Sequence, residues 1–160
     1  MKEIEINEKN LSLFVDNLRL EDKKELYYFY RKNYKKKFIQ IALCTKNTYF
    51  LADKNNNPAA IGGVVTLRRG REKLGQVWLL CAKNAYQNKI FLYKYIKNKI
   101  EIFKKNYDVL FNSIYKSNFE ALTWLRRCGF EVLNLADKNF KVFYYNKGDN
   151  NIDLRYITGE

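Results

Sequence analysis

The chain has 160 residues, 47% of them hydrophobic, enough for one domain with a real core and too few for two comfortable ones. Its formal charge of +13 directs attention to polyanions, yet Lys and Asn far outnumber Arg and only Lys35-Lys36-Lys37 and Arg68-Arg69-Gly70-Arg71 are clusters. That pattern favours loose, salt-sensitive attraction over specific nucleic-acid recognition. No apolar run approaches the length of a membrane span, and Met1-Lys2-Glu3-Ile4-Glu5-Ile6 carries charges where a secretory leader needs an apolar stretch, so the expectation is a protein that is not secreted.

Leu11 to Leu18 is a mixed apolar run, readable as a first strand or a short helix. Asp22 precedes Glu25 by three residues, a capping-box spacing with Asp as the cap. Leu26, Phe29 and Tyr30 then continue a helical face to about Tyr34, and Phe38, Ile39, Ala42 and Leu43 make a second stripe.

From Thr48 the period changes. Thr48 to Ala52 reads as a strand, 53–58 as an Asn-rich turn closed by the only proline, and Ala59 to Leu67 as the returning strand. Arg68 to Lys73 turns again, and Leu74 to Ala82 follows as a strand. Its stretch Val77-Trp78-Leu79-Leu80 reads as buried on both faces.

Ile90 to Phe103 is helical, with Lys opposite an apolar face, and Val109 to Ile114 is a buried strand. Asn118 opens a helix over Phe119 to Cys128, and Gly129 ends it at the C′ position. Phe130 to Leu135 and Lys141 to Tyr145 are strands joined by the turn Asp137-Lys138-Asn139. The domain is expected to occupy 1–146. A polar tail, 147–160, has Ile152, Leu154, Tyr156 and Ile157 available to dock.

These elements make an α+β fold, a mixed sheet with helices on its faces. Cys44, Cys81 and Cys128 form no C-x-x-C pair and the chain has no His, so no zinc site is expected; the three read as small buried hydrophobes in a reduced compartment.

The block Asn118-Phe119-Glu120-Ala121…Trp124-Leu125…Gly129-Phe130 has the spacing N-x-x-A…G-F and resembles the strand–helix–strand end of the GNAT acyltransferase fold. Leu18-Arg19-Leu20-Glu21-Asp22, Pro58-Ala59-Ala60-Ile61-Gly62-Gly63-Val64 and Gly75-Gln76-Val77-Trp78-Leu79-Leu80 extend the likeness over most of the chain. The combination is similar to GNAT-like proteins of short-tailed bacteriophages, named internal virion or acetyltransferase proteins. The resemblance implies a single GNAT-like domain, a phage setting in host cytoplasm or virion, and other phage proteins as partners.

It also implies where acetyl-CoA would bind if the protein is active. The strand end Leu80, Cys81 and Ala82 would lie along the coenzyme, with Gln87, Lys89 and Asn118 near it. The family's pyrophosphate loop, [QR]-x-x-G-x-[GA], falls on Gln87-Asn88-Lys89-Ile90-Phe91-Leu92. Gln87 fits. Ile90 and Leu92 stand where small residues let main-chain N–H groups reach phosphate, each such bond being worth about 1.5–3 kcal/mol. Both are expected to pack in the core instead, while Lys83 and Lys89 remain to hold an anion by charge.

The family's proton-donating Tyr, four residues before the Gly, is here Leu125. Tyr115 is a weak substitute acid, and Gln76 and Ser113 are candidates to hold a water. No acidic residue lies between Glu72 and Glu101. Trp78 and Trp124 read as packing residues. The expectation is therefore a degenerate coenzyme site, no cofactor, and a role through protein contacts; the alternative is an acetyl-CoA-dependent N-acyltransferase with an atypical loop.

Overall fold

The computed structural model describes residues 1–134 and 139–148. The elements are β1 (Lys2–Glu3), α1 (Glu8–Asp16), α2 (Leu20–Tyr30), a 3-10 turn (Arg31–Asn33), α3 (Tyr34–Cys44), β2 (Thr48–Ala52) and β3 (Pro58–Arg69). They continue with β4 (Glu72–Cys81), a second 3-10 turn (Lys83–Asn88), α4 (Lys89–Asn106), β5 (Val109–Tyr115), α5 (Phe119–Arg127), β6 (Glu131–Asn134) and β7 (Phe140–Asn146). Among the described residues the strands form one seven-stranded mixed sheet in the order β1-β2-β3-β4-β5-β7-β6. This is the α+β class expected from periodicity.

Packing divides the chain into two units. The first comprises Met1–Val64 and Trp78–Ile96. Its core gathers Leu11, Phe14, Phe38, Phe50, Ile61 and Leu80. Phe14 meets Phe50 edge-on at 5.5 Å and packs against a tilted Phe38 ring at 6.1 Å. Leu11 to Leu18 thus takes the helical alternative. Asn7 caps α1, accepting the N–H of Asn10 at 2.9 Å. β1, which has no apolar pattern to announce it, pairs antiparallel with β2.

Four expectations fail along these elements, wholly or in part. Asp22 does not cap α2: the helix starts at Leu20, and the Asp22 side chain is buried beside Arg19. Phe29, Leu43 and Ile90 are 56%, 48% and 73% exposed, because the helices end or begin in a phase that turns them outward; Leu92 alone of the loop pair is buried. Cys44 is exposed, whereas Cys81 and Cys128 are buried as expected. Along β4 only Val77 and Leu80 of the four-residue apolar run are buried, and Trp78 and Leu79 are half-buried.

The second unit comprises Val65–Val77 with the described part of Lys97–Glu160. β5 pairs antiparallel with β7 from Val109↔Asn146 to Tyr115↔Phe140, and β7 pairs with β6. β4 and β5 run parallel only over Leu74↔Val109, Gly75↔Leu110 and Gln76↔Phe111. Leu110, Leu122 and Val142 are fully buried, and Phe130 meets Phe143 edge-on at 5.3 Å.

α5 ends as expected at Gly129, φ +81°. The Phe130 N–H reaches the Leu125 carbonyl at 3.1 Å and the Gly129 N–H reaches Arg126 at 3.0 Å, the paired bonds of a Schellman motif. The expected turn at Arg68–Lys73 is tighter, only Gly70 and Arg71 between two longer strands. Of the turn at 137–139, Asp137 and Lys138 lie outside the described residues, as does the tail from 149.

Candidate functional site

Most of the sequence-predicted coenzyme residues fall on one continuous segment of the first unit: the end of β4, the 3-10 turn and the start of α4. Ala82 donates its N–H to Ala59 on β3 at 2.8 Å. Strand alternation therefore points the N–H and carbonyl of Cys81 the other way, away from β3. Those two groups are the main-chain edge that an extended ligand would pair with.

Both are already bonded. The Cys81 carbonyl accepts the Arg19 N–H at 3.0 Å. The Cys81 N–H donates to the Asp22 carboxylate. Leu18 and Ala82 form an antiparallel bridge, and the Lys83 N–H reaches the Asn17 carbonyl at 2.9 Å. The segment between α1 and α2 thus lies on the end of β4 like a short extra strand.

The side chains of that segment secure it. Arg19 Nε donates to Asp22 Oδ2 at 2.6 Å, with the two side chains 11% and 4% exposed. Arg19 Nη1 also donates to the Tyr86 hydroxyl, and its guanidinium carbon lies 4.7 Å from the Tyr86 ring centroid. Burial raises the Asp22 carboxyl above its ordinary range, against the pull of Arg19 and of the Cys81 N–H. Burial works to lower the Arg19 value, and the adjacent Asp22 charge overrides it upward.

Gln87 and Lys89 are exposed on the turn and the first residue of α4. Lys89 Nζ lies 5.1 Å from the Tyr86 ring and 5.7 Å from the Tyr93 ring, a cation–π arrangement. Ile90 follows on the solvent side of the first turn of α4, while Leu92 faces the core. Gln87 also lines a cleft of about 460 Å³ with Met1, Asp53, Lys54, Asn84 and Asn88. Asp53 there accepts Asn84 Nδ2 at 2.8 Å and the N–H groups of Asn55 and Asn57 at 2.8 and 2.9 Å.

Asn118 and Tyr115 belong to the second unit. Asn118 is the N-cap of α5, its side chain accepting the Ala121 N–H at 3.4 Å, and it is 8% exposed. Tyr115 meets the Phe140 ring edge-on at 5.5 Å. Leu125 is 7% exposed within α5. Gln76 Nε2 donates to Asn112 Oδ1 at 3.2 Å, and Asn112 Nδ2 donates to the Val77 carbonyl at 2.8 Å. Asn112 thereby occupies the point where the parallel pairing ends. The Ser113 N–H bonds Asn112 Oδ1 at 2.8 Å, so the two expected water-holding residues share one amide.

Sequence reasoning missed Arg19, Asp22, Tyr86 and Asn112. The signal for the first pair was present as R-x-x-D, and the helix-cap reading of Asp22 concealed it.

No family model matches the chain, and no curated protein matches it. Among solved structures it is similar to spermidine N-acetyltransferase from Vibrio cholerae in complex with CoA and spermine, at TM-score 0.63 and 13% identity over 91% of this chain and 94% of that one. It is similar to the PaiA N-acetyltransferase of Thermoplasma acidophilum in complex with coenzyme A, at TM-score 0.60 and 14% identity over 91% and 96%. The ribosomal-protein-S5-alanine acetyltransferase of Vibrio fischeri matches at TM-score 0.59 and 16% identity over 92% of each chain. At such identities the likeness shows the fold alone: the chain has the GNAT acetyltransferase fold.

Proposed function

We propose that this is a GNAT-fold protein whose acetyl-CoA groove is closed by its own chain, and that it works through contacts with other proteins and not by acetyl transfer. The observation that carries this reading is the occupied main chain of Cys81, bonded on its carbonyl by Arg19 and on its N–H by Asp22. A coenzyme lying along β4 has to break both bonds and uncover a buried ion pair.

Two further features support it. Ile90 places a branched aliphatic side chain, 73% exposed, beside the first-turn amides of α4 that a diphosphate requires. Leu125, buried in α5, has no proton to give to a departing thiolate. On this reading the end of β4 and the start of α4 do not fit coenzyme A. The sequence resemblance to GNAT-like proteins of short-tailed bacteriophages supplies the setting, a virion-associated or morphogenesis protein whose partners are other phage proteins.

A second reading, an acetyl-CoA-dependent N-acyltransferase, is favoured by the solved proteins of this fold, two of which hold CoA, and by Gln87 on the turn that precedes α4. Titration calorimetry with acetyl-CoA separates the two. The first reading expects no heat of binding at several hundred micromolar coenzyme; a dissociation constant of tens of micromolar overturns it. Copurification with phage particles at a fixed stoichiometry tests the contact role directly.

A further inference from the structure

We propose that the tip of the β3–β4 hairpin is a phosphate-gripping finger for double-stranded nucleic acid, a role independent of the coenzyme question. Of the chain's eight arginines three stand at 68, 69 and 71, in a protein with 22 lysines. Arg presents a planar fork that matches phosphate, so this local switch from Lys to Arg has a chemical consequence.

The scaffold holds the finger out. Val65, Thr66, Leu67, Arg68 and Arg71 are exposed, and a Cβ built on Gly70 meets no atom within 4 Å. Gly70 has φ +57° at the first central position of a two-residue turn, which suits glycine. The base is anchored within its own unit. Thr66 Oγ1 bonds the hydroxyl of buried Tyr107 at 2.7 Å, and the Lys73 N–H donates to Asp108 Oδ2 at 2.7 Å. The Asp108 N–H returns to the Lys73 carbonyl at 2.9 Å.

Strand alternation sets Arg68 on the face of Thr66, and Arg69 on the opposite face with Leu67 and Val65. The ribbon therefore carries guanidinium groups on both of its faces, the arrangement needed by a strand pair flanked by two phosphate backbones. A two-stranded ribbon also fits the width of the B-DNA major groove. No aromatic residue lies between Val65 and Lys73. The tip thus lacks the stacking platforms that hold single strands, and a duplex is the better fit. The +13 charge of the whole chain steers the encounter.

The test is fluorescence anisotropy with a labelled DNA duplex of about two helical turns, titrated across about 50–200 mM salt. Two triple variants are compared, R68Q/R69Q/R71Q and K35Q/K36Q/K37Q, which remove the same charge from the two clusters. The hairpin variant is expected to bind roughly tenfold or more weakly at low salt, with a log–log salt slope shallower by about 2–3; the lysine variant's slope is expected to change by less than about 1. Equal losses in both variants, no binding by the wild type, or tighter binding of the matching single strand overturns the proposal. Phenylglyoxal footprinting of the wild type gives a readout that needs no variant to fold. The duplex is expected to protect Arg68 and Arg71 and to leave Arg126 and Arg127 reactive, and the reverse pattern overturns the assignment.

Discussion

The carboxylate of Asp22, on α2, accepts the main-chain N–H of Cys81 at the end of β4, and Arg19 holds that same carboxylate at 2.6 Å. Removing one member strands the other's charge in a site closed to water. Asp22→Ala is expected to cost about 3–5 kcal/mol, the range for breaking a buried pair, and Arg19→Met/Asp22→Leu less than that, because no lone charge remains. Urea unfolding of the three proteins measures both. A single variant that loses under about 1 kcal/mol, or a double variant that loses more than the single, contradicts the arrangement.

The hairpin turn after β2 depends on one carboxylate. Burial works to raise the Asp53 value, but the bonds from Asn84, Asn57 and Asn55 hold it below the usual carboxylate range. A folded-state value below the unfolded one means that the unfolded chain binds the proton first. Asp53 therefore adds stability above the ordinary Asp value near 4, and that contribution is lost as pH falls through the depressed folded value. Asp53→Asn is expected to cost about 1–3 kcal/mol at neutral pH. The gap between the variant and the wild type should close on acidification. Denaturant unfolding between about pH 2 and 7 follows it, and a gap that is constant across the series speaks against the role.

Where one physical signal dominated, the fold was legible. Asn118 and Gly129 bracket α5 with opposite end chemistries, and the structure has the N-cap bond at one end and the Schellman pair at the other. The β2–β3 hairpin followed from alternation and an Asn-rich turn, with Asn56 at φ +63°. Failures came where tertiary packing decides. Asp22 lies three residues before Glu25, which suits a cap, yet a neighbouring strand's N–H and a buried Arg claim its carboxylate. Ile90 and Leu92 differ in burial only because two residues along a helix turn by about 200°, and the phase of α4 was set by contacts far along the chain. For the candidate site, the residues from Leu80 to Lys89 were read from the resemblance, and the structure puts them on one continuous segment. What covers it was not visible, since the covering residues come from Asn17 to Asp22, some sixty positions earlier.

Two glycines separate close approach from backbone conformation. A Cβ on Gly62 lies 2.7 Å from the Trp78 carbonyl and 2.6 Å from the Tyr49 hydroxyl, so strands β3 and β4 have to part to admit it. Gly62→Ala is expected to cost about 2–3 kcal/mol, in the range of overpacked sites. Gly70→Ala meets no neighbour but forces a left-handed φ on a residue with a Cβ, worth about 1–2 kcal/mol. Thermal or urea midpoints order the two. Gly62→Ala as the milder change contradicts the packing of β3 on β4.

The three thiols test the burial pattern without any substitution. Cys44 is exposed at the end of α3, whereas Cys81 and Cys128 are buried. Burial pushes the Cys128 thiol up, outweighing the pull of Lys104 and Lys97. The thiolate is the reactive form, so Cys128 is protected twice, by access and by protonation. Lys104 adds a further tie, donating to the Cys128 carbonyl at 2.6 Å at the end of α5. Titration of the folded protein with a chromogenic disulfide at neutral pH should release one fast equivalent, and three after denaturation. Peptide mapping should place the fast one at Cys44. Rapid labelling of Cys81 in the native protein would mean that the Asn17–Asp22 segment leaves the end of β4 readily, and the closed groove on which the non-catalytic reading rests would then be open to a coenzyme.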